Sequence, residues 1–243
     1  RRAAAAAIAR APALPEAGEW QDEAGAPAAP AGAPLSALEG AGFYAPHEDE
    51  GRAWPSDSER ALLALLLGPE EDLRAAWAGW AGRHDIDRLS LGCYRLLPIA
   101  HARLGGAVAG LPHGGVIAAL WRRACVESVA NWRRGLPALD AMAEAGIPVI
   151  LMKGAAFAER HYGGWGARPM SDIDFLVPEG RAAEADALLR ERGWVPSPGF
   201  NAIRLRLQYA LTYRKPGGGN LDMHWRPMAE MCLPGHDERE LWE

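Results

Sequence analysis

Cysteine is scarce in this sequence, which has three cysteines in 243 residues. Cys93, Cys125 and Cys232 are far apart and odd in number, which argues against a disulfide framework and against a zinc knuckle. We expect three buried or half-buried thiols in a reducing compartment, and therefore a cytoplasmic protein.

Long apolar runs are also missing, because no window of the sequence approaches the ~20 residues that span a bilayer. The chain opens with Arg1, Arg2 and an alanine-rich stretch that Arg10 ends, which is too short for a signal peptide. We therefore expect no membrane partner. Since the first residue is not methionine, we also expect a trimmed or internal fragment.

Excess positive charge is the third feature that the chain lacks, since its net charge is −5 and its pI is about 5.8. We therefore expect no duplex nucleic acid as a partner, because such proteins present a broad basic surface. A mildly acidic protein can still bind a nucleotide through a local site and a bound metal. Hydrophobic residues make up 49% of the chain, which is enough for a core.

Three segments differ in composition. Residues 1–55 are rich in Ala, Pro and Gly and poor in large aliphatic side chains, which predicts a flexible tail. Residues 56–146 carry apolar side chains three or four positions apart, which predicts a helical subdomain. Residues 147–243 alternate short apolar runs with turns and helices, which predicts a small α/β unit.

Four helices are predicted in the second segment. We expect Ser58 to cap the first, and Gly146 followed by Pro148 to end the last. Proline inside a helix removes a hydrogen bond, so we expect Pro98 to kink or split its helix and Pro137 to bend its helix. The predicted helices cover about residues 58–67, 70–81, 85–104 and 115–146.

The third segment predicts an α+β fold, with a helical N-terminal half followed by a small mixed β-sheet with flanking helices. Residues 215–220 join the last two strands as a hairpin. The predicted strands are 148–152, 171–177, 207–214 and 221–225, and the predicted helices are 155–162 and 179–192.

Two aspartates alternate along the strand predicted at 171–177. Asp172 and Asp174 share one face, about 7 Å apart, while Ile173 and Phe175 face the core. Two carboxylates at this distance repel each other unless positive charge lies between them, and a divalent cation supplies that charge. The alternative is a pair of solvated aspartates, although asparagine or threonine would serve in so apolar a strand.

A turn of Lys153 and Gly154 joins the first strand directly to a helix. Glycine lets the backbone approach a ligand closely, and the start of the helix offers N–H groups to an anion. Lys153 adds a point charge that suits a phosphate. Taken alone, this pattern also occurs in many α/β folds, where a lysine at a turn is simply solvated.

A third carboxylate follows in the last predicted strand. Asp222 and His224 alternate with apolar neighbours, which puts both on the polar face and can bring Asp222 to the first two aspartates. For His224 we favour an ordinary hydrogen bond over direct metal ligation. A role in orienting Asp222 is the intermediate possibility.

Together these segments resemble the nucleotidyltransferase superfamily that includes DNA polymerase beta and the aminoglycoside nucleotidyltransferases. They are especially similar to an uncharacterised bacterial nucleotidyltransferase family with Leu-Lys-Gly, Arg-Pro-x-Ser-Asp-Ile-Asp and Asp-Leu-His-Trp segments. The corresponding segments here are Met152–Gly154, Arg168–Asp174 and Asp222–Trp225. The resemblance covers about residues 58–243, and the chain departs from smaller superfamily members in having alanine, not serine, after Gly154.

The resemblance implies transfer of a nucleoside monophosphate from an NTP such as ATP to a hydroxyl of an unknown small-molecule or protein acceptor, with release of pyrophosphate. It implies two Mg²⁺ ions, with Mn²⁺ as a substitute, held by Asp172 and Asp174. Asp222 would contact the catalytic ion and can take the proton of the attacking hydroxyl.

The resemblance also implies a set of nucleotide-binding residues: Lys153, Gly154, Ala155, Arg168, Ser171 and His224. For Arg168 an ion pair with Asp172 or Glu179 is an equal alternative. Because this family continues with more helices after the third strand, we expect a catalytic core at 147–243 that is truncated at its C-terminus.

Three other functions remain open. A GT-A-like glycosyltransferase also uses an Asp-x-Asp pair, but it needs a long Rossmann-like half before that pair. A phosphatase with a nucleophilic aspartate needs Ser or Thr soon after the second Asp, where Phe175 follows instead. A catalytically degenerate module could bind a nucleotide or a partner protein through its tryptophan-rich helices.

Overall fold

The structure, a computed structural model, describes residues 54–158, 160–197, 199–232 and 241–242. The tail predicted at residues 1–55 therefore lies outside the described residues, apart from Trp54 and Pro55. The chain divides into two compact units between Arg123 and Ala124. We call the described residues up to Arg123 the helical unit and those from Ala124 the sheet unit.

Helices with the predicted apolar periodicity form the helical unit. They bury Leu62, Trp77, Trp80 and Leu97, each of which is at most 1% exposed. The α-helices are α1 (Asp57–Leu67), α2 (Leu73–Ala81), α3 (Leu91–Leu104) and α4 (Gly114–Glu144), and α4 continues into the sheet unit. No described helix is both long and apolar enough to cross a membrane.

Helix α1 begins at a reciprocal cap that differs from the prediction. Ser56, and not Ser58, is the N-cap: its hydroxyl accepts from the Glu59 amide, and the Glu59 carboxylate accepts from the Ser56 amide. The prediction was wrong because it overlooked the glutamate three residues after Ser56. Glu59 also accepts from the Ser90 hydroxyl at 2.7 Å, which ties the starts of α1 and α3 together.

The helix breaks also differ from the prediction. The predicted helix at 85–104 is a 3₁₀ turn at Ile86–Arg88 followed by α3, whose N-cap is Ser90. Pro98 lies inside α3 and Pro137 inside α4, so the predicted split at Pro98 does not occur. At Pro98, burial of the ring and its neighbours offsets the missing hydrogen bond, because packing outweighs propensity.

The sheet unit is an α+β arrangement, as predicted, with strand order β1-β2-β5-β4-β3. Only β2 and β5 pair in parallel, and the other three pairs are antiparallel. The strands are β1 (Ile150–Leu151), β2 (Ile173–Leu176), β3 (Val195–Ser197), β4 (Ala210–Arg214) and β5 (Asn220–His224). The helices are α5 (Lys153–Ala158), α6 (Ala182–Glu191) and α7 (Ala202–Leu207).

A short strand and a short α-helix escaped the prediction. Strand β3 has three residues, one of them Pro196, so it lacks the alternating pattern of a strand. Helix α7 begins at the N-cap Asn201 and includes Leu207, which was wrongly assigned to a strand. Elements this short are stabilised by their packing partners more than by their own residues.

Two glycines on the C-terminal side of α4 determine where this helix ends and how closely it approaches β2 and β5. Gly146 has a φ of +67°, and the Ile147 amide donates back to Met142 at 2.8 Å, so the predicted helix stop is confirmed. Earlier in α4, a Cβ at Gly135 would lie 2.7 Å from Ile173 and 3.0 Å from Leu221. Glycine here lets α4 approach β2 and β5 closely.

Candidate active site

Parallel pairing of β2 with β5 brings two aspartates side by side. Asp174 is the register partner of Asp222, and Leu176 is the partner of His224. Within both strands the alternate residues, among them Phe175 and Met223, are fully buried in the core. The core therefore fixes the register that puts the polar side chains together.

Two nitrogen atoms contact the same carboxylate oxygen of Asp174. Lys153 Nζ lies 2.5 Å from Asp174 Oδ1, and His224 Nε2 lies 3.2 Å from the same atom. Asp174 is only 6% exposed, and burial alone would raise its pKa. The hydrogen bonds from His224 and Lys153 outweigh burial and hold the pKa below its usual value, so Asp174 remains ionised.

Asp222 keeps a buried oxygen without a partner. Among the described residues, no hydrogen bond reaches Asp222 Oδ1, although water has almost no access to this atom. One ligand atom each from Asp174, Asp222 and His224 all lie within 4.8 Å of one another. An orphaned buried carboxylate oxygen beside a second carboxylate fits a divalent cation, which would satisfy the free oxygen of Asp222.

Asp172 lies just before β2 and is half-buried. Burial raises its pKa, and so do the negative charges of Asp174 and Asp222, while Lys153 opposes them. Asp172 thus shares the electrostatic field of the other two aspartates, although it is outside the close group of Asp174, Asp222 and His224. Its carboxylate also accepts a hydrogen bond from the Ser171 side chain.

The Lys153-Gly154 turn lies directly beside Asp174. Lys153 has a φ of +47°, a left-handed conformation that is strained for a residue other than glycine. The amide of the preceding Met152 donates to the Asp174 carbonyl at 2.9 Å, which ties the turn to β2. Burial lowers the pKa of Lys153, but the hydrogen bond and the negative charge of Asp174 raise it. On balance the pKa of Lys153 is raised.

Gly154 is buried against the Arg168–Asp174 segment. A Cβ at this position would lie 2.4 Å from Met170 Sδ, so no larger residue fits without a shift. Met170 is the variable residue of the Arg-Pro-x-Ser-Asp-Ile-Asp segment. The structure therefore explains this glycine by packing, and Ala155 beside it is half-buried.

Arg168 and His224 have partners that differ from those considered in the sequence. Arg168 is exposed and donates to the Tyr162 hydroxyl at 3.4 Å, whereas Glu179 binds Arg226 at 2.6 Å. His224 contacts Asp174 instead of Asp222, and its buried Nδ1 has no partner among the described residues. This arrangement favours the tautomer in which Nε2 carries the proton and donates to Asp174.

Two residues that the sequence analysis missed also shape the site. Asn131 of α4 bonds the backbone of Asn220 in both directions, at 2.9 and 3.2 Å, and so anchors the start of β5. The centroid of the Tyr209 ring lies 5.8 Å from the centroid of the His224 ring. The sequence gives no signal of these contacts, because Asn131 is one polar residue among several in a long amphipathic helix. Tyr209 is simply a tyrosine that precedes a strand.

Comparison with known proteins points to one family. No curated protein and no solved structure matches the chain. The family described as uncharacterised nucleotidyltransferase matches residues 95–243, which is more than half of the chain and includes Lys153, Asp172, Asp174 and Asp222. The chain therefore belongs to this family of uncharacterised nucleotidyltransferases.

Proposed function

We propose that the chain moves a nucleoside monophosphate from an NTP to a hydroxyl of an acceptor, with release of pyrophosphate. The observation that supports this most is the pairing of Asp174 with Asp222 across the parallel strands, with Asp222 Oδ1 buried and unpartnered. Membership of a nucleotidyltransferase family gives the class of reaction.

The aspartates would hold the metal. Asp174 and Asp222 would share one divalent cation, Mg²⁺ or Mn²⁺, and Asp172 would help to hold a second. A bound divalent cation neutralises the triphosphate and lowers the pKa of an attacking hydroxyl. Asp222 would also accept the proton of that hydroxyl.

The remaining predicted residues would bind the nucleotide or orient the aspartates. Lys153 and the exposed Arg168 would contact phosphate oxygens. His224 is a positioning residue, because it donates to Asp174 from a side chain that is 2% exposed. Gly154 contributes through its close packing on Met170, and Ser171 through its hydrogen bond to Asp172.

A GT-A-like glycosyltransferase is disfavoured by the fold. That class needs a Rossmann-like half before the aspartate pair, but the described residues before β1 form helices. A phosphatase with a nucleophilic aspartate requires a serine or threonine soon after the second aspartate, and this chain has none there. A degenerate binding module remains the competing proposal, and it differs in predicting nucleotide binding without transfer.

The test is to measure nucleotide binding and turnover with each of the four common NTPs and Mg²⁺. We expect calorimetry to detect binding of at least one Mg²⁺·NTP. We also expect pyrophosphate release when cell extract is added as a source of the acceptor. Asp174→Asn should abolish both, whereas the matched control Asp87→Asn, on an exposed turn of the helical unit, should change neither. Equal binding by Asp174→Asn and the parent would refute this site.

A further inference from the structure

Lys153 lies against one carboxylate oxygen of Asp174 and shares this oxygen with His224. Its Nζ lies 2.5 Å from Asp174 Oδ1, and His224 Nε2 lies 3.2 Å from the same oxygen. A carboxylate oxygen offers about two lone-pair directions, so both are taken. A metal ion that binds this oxygen must therefore displace one of the two nitrogen donors.

The lysine is the donor that can leave. The side chain of His224 is 2% exposed and lies within β5, and that of Asp174 is 7% exposed within β2. The side chain of Lys153 is 50% exposed and carries its charge on a flexible stem. If a divalent cation bound Asp174 Oδ1, the ammonium would be free to move into solvent or onto another anion.

The use of lysine here is unusual for this chain. Lys153 and Lys215 are the only lysines among its 26 basic residues, and the rest are arginines. Arginine holds a carboxylate through a planar fork that can make two parallel hydrogen bonds, whereas lysine presents one compact charge that exchanges more easily. A contact that must be released would therefore be better made by lysine than by arginine.

We propose that Lys153 is a tethered counterion of Asp174, so that metal binds weakly alone and tightly together with a triphosphate. This inference rests on the proposed function. The triphosphate offers the ammonium new anionic oxygens, so Lys153 moves from Asp174 to the phosphates and frees Oδ1 for the metal. By linkage, the nucleotide raises the affinity for metal by the same factor as the metal raises the affinity for nucleotide.

The experiment titrates the protein with Mn²⁺ alone and measures free Mn²⁺ by electron paramagnetic resonance. Lys153→Met should bind Mn²⁺ about tenfold more tightly than the parent, which is an ordinary size for coupling between two sites. Lys153→Arg should bind it more weakly, because the fork holds Asp174 more firmly. The control Lys215→Met removes a lysine that lies over the Trp194 ring, and it should change nothing.

Each outcome decides between the two proposals. Tighter Mn²⁺ binding by Lys153→Met, lost again when Asp174→Asn is added, supports the counterion role. If Lys153→Met binds Mn²⁺ no better than the parent, while Asp174→Asn weakens binding, the counterion role is wrong and the metal site stands. If Asp174→Asn leaves Mn²⁺ binding unchanged in both backgrounds, the proposed function fails with it. Lys153→Gln serves as a second neutral variant should the methionine variant melt early.

Discussion

The two units of this chain differ in where they put polar side chains. All five buried polar or charged side chains of the described residues belong to the sheet unit: Ser128, Asn131, Asp174, Asp186 and His224. In the helical unit, polar groups close helix ends instead. Glu59 and Ser56 cap α1, and Arg103 donates to the Leu66 and Gly68 carbonyls at its other end.

Within the sheet unit, two aspartates show the same contrast on a smaller scale. Asp186 has both oxygens occupied, by the Tyr213 hydroxyl at 2.7 Å and by Arg190 at 2.8 Å. Asp222 has a buried oxygen with no partner among the described residues. A satisfied buried carboxylate holds a structure together, whereas an unsatisfied one has a cost that a ligand can relieve.

The largest effect is expected in the apolar core of the helical unit. Trp77→Ala removes a fully buried ring and its hydrogen bond to the Pro112 carbonyl, and should lower the free energy of unfolding by about 3–5 kcal/mol. The matched control is Trp54→Ala, since Trp54 is 81% exposed. Urea denaturation measures the free energy of unfolding of both variants. Similar small decreases in the two would show that the buried Trp77 does not stabilise the helical unit.

The next effect separates ligand binding from stability. Asp222→Asn should weaken Mn²⁺·NTP binding about a hundredfold, or ~2.7 kcal/mol, because a carboxylate ligand is lost. The free energy of unfolding without metal should change by less than ~1 kcal/mol, since the removed oxygen had no partner to lose. Calorimetry and urea denaturation test the pair, and a stability loss with intact binding would reverse the assignment of Asp222.

The satisfied aspartate should behave in the opposite way. Tyr213→Phe removes the hydroxyl that donates to Asp186 and should cost about 1–2 kcal/mol of stability, because a buried acceptor loses its donor. Mn²⁺·NTP affinity should stay at the parental value. A loss of affinity as large as that of Asp222→Asn would mean that the two aspartates are not distinct in role.

The smallest effect is a pH dependence in the helical unit. The Ser90 hydroxyl, and next the Ser56 amide, lower the pKa of Glu59 against the opposing effect of burial. Ionised Glu59 therefore stabilises the folded state at neutral pH, and this contribution is lost as the pH falls through the lowered pKa. Glu59→Gln should flatten the stability profile as the pH falls below the ordinary glutamate value of 4.5, by less than ~1 kcal/mol. A parental profile in the variant would contradict this.

The sequence predicted local features better than contacts between distant segments. Alternation within each strand was enough to place Asp174 and Asp222 on polar faces, and glycine with proline was enough to end α4 at Gly146. The lateral pairing of Asp174 with Asp222 could not be derived from the pattern, because strand order is decided by packing across the whole sheet.

Contacts made by single side chains were the least predictable part of the site. Lys153 was expected to bind phosphate, and no spacing rule indicated that it also neutralises Asp174. His224 was linked to its neighbour Asp222, yet it donates across the strands to Asp174. Gly154 was predicted to contact phosphate through its backbone, and its close packing on Met170 was not predicted. Each of these depends on tertiary distances between segments that are remote in sequence.

The most direct test of the metal site is an anomalous difference map from crystals grown with Mn²⁺ and a non-hydrolysable NTP. We predict a peak within coordination distance of both Asp174 and Asp222, with Lys153 turned from Asp174 Oδ1 toward the phosphates. A well-ordered nucleotide with its Mn²⁺ elsewhere, and Lys153 still on Asp174, would contradict it.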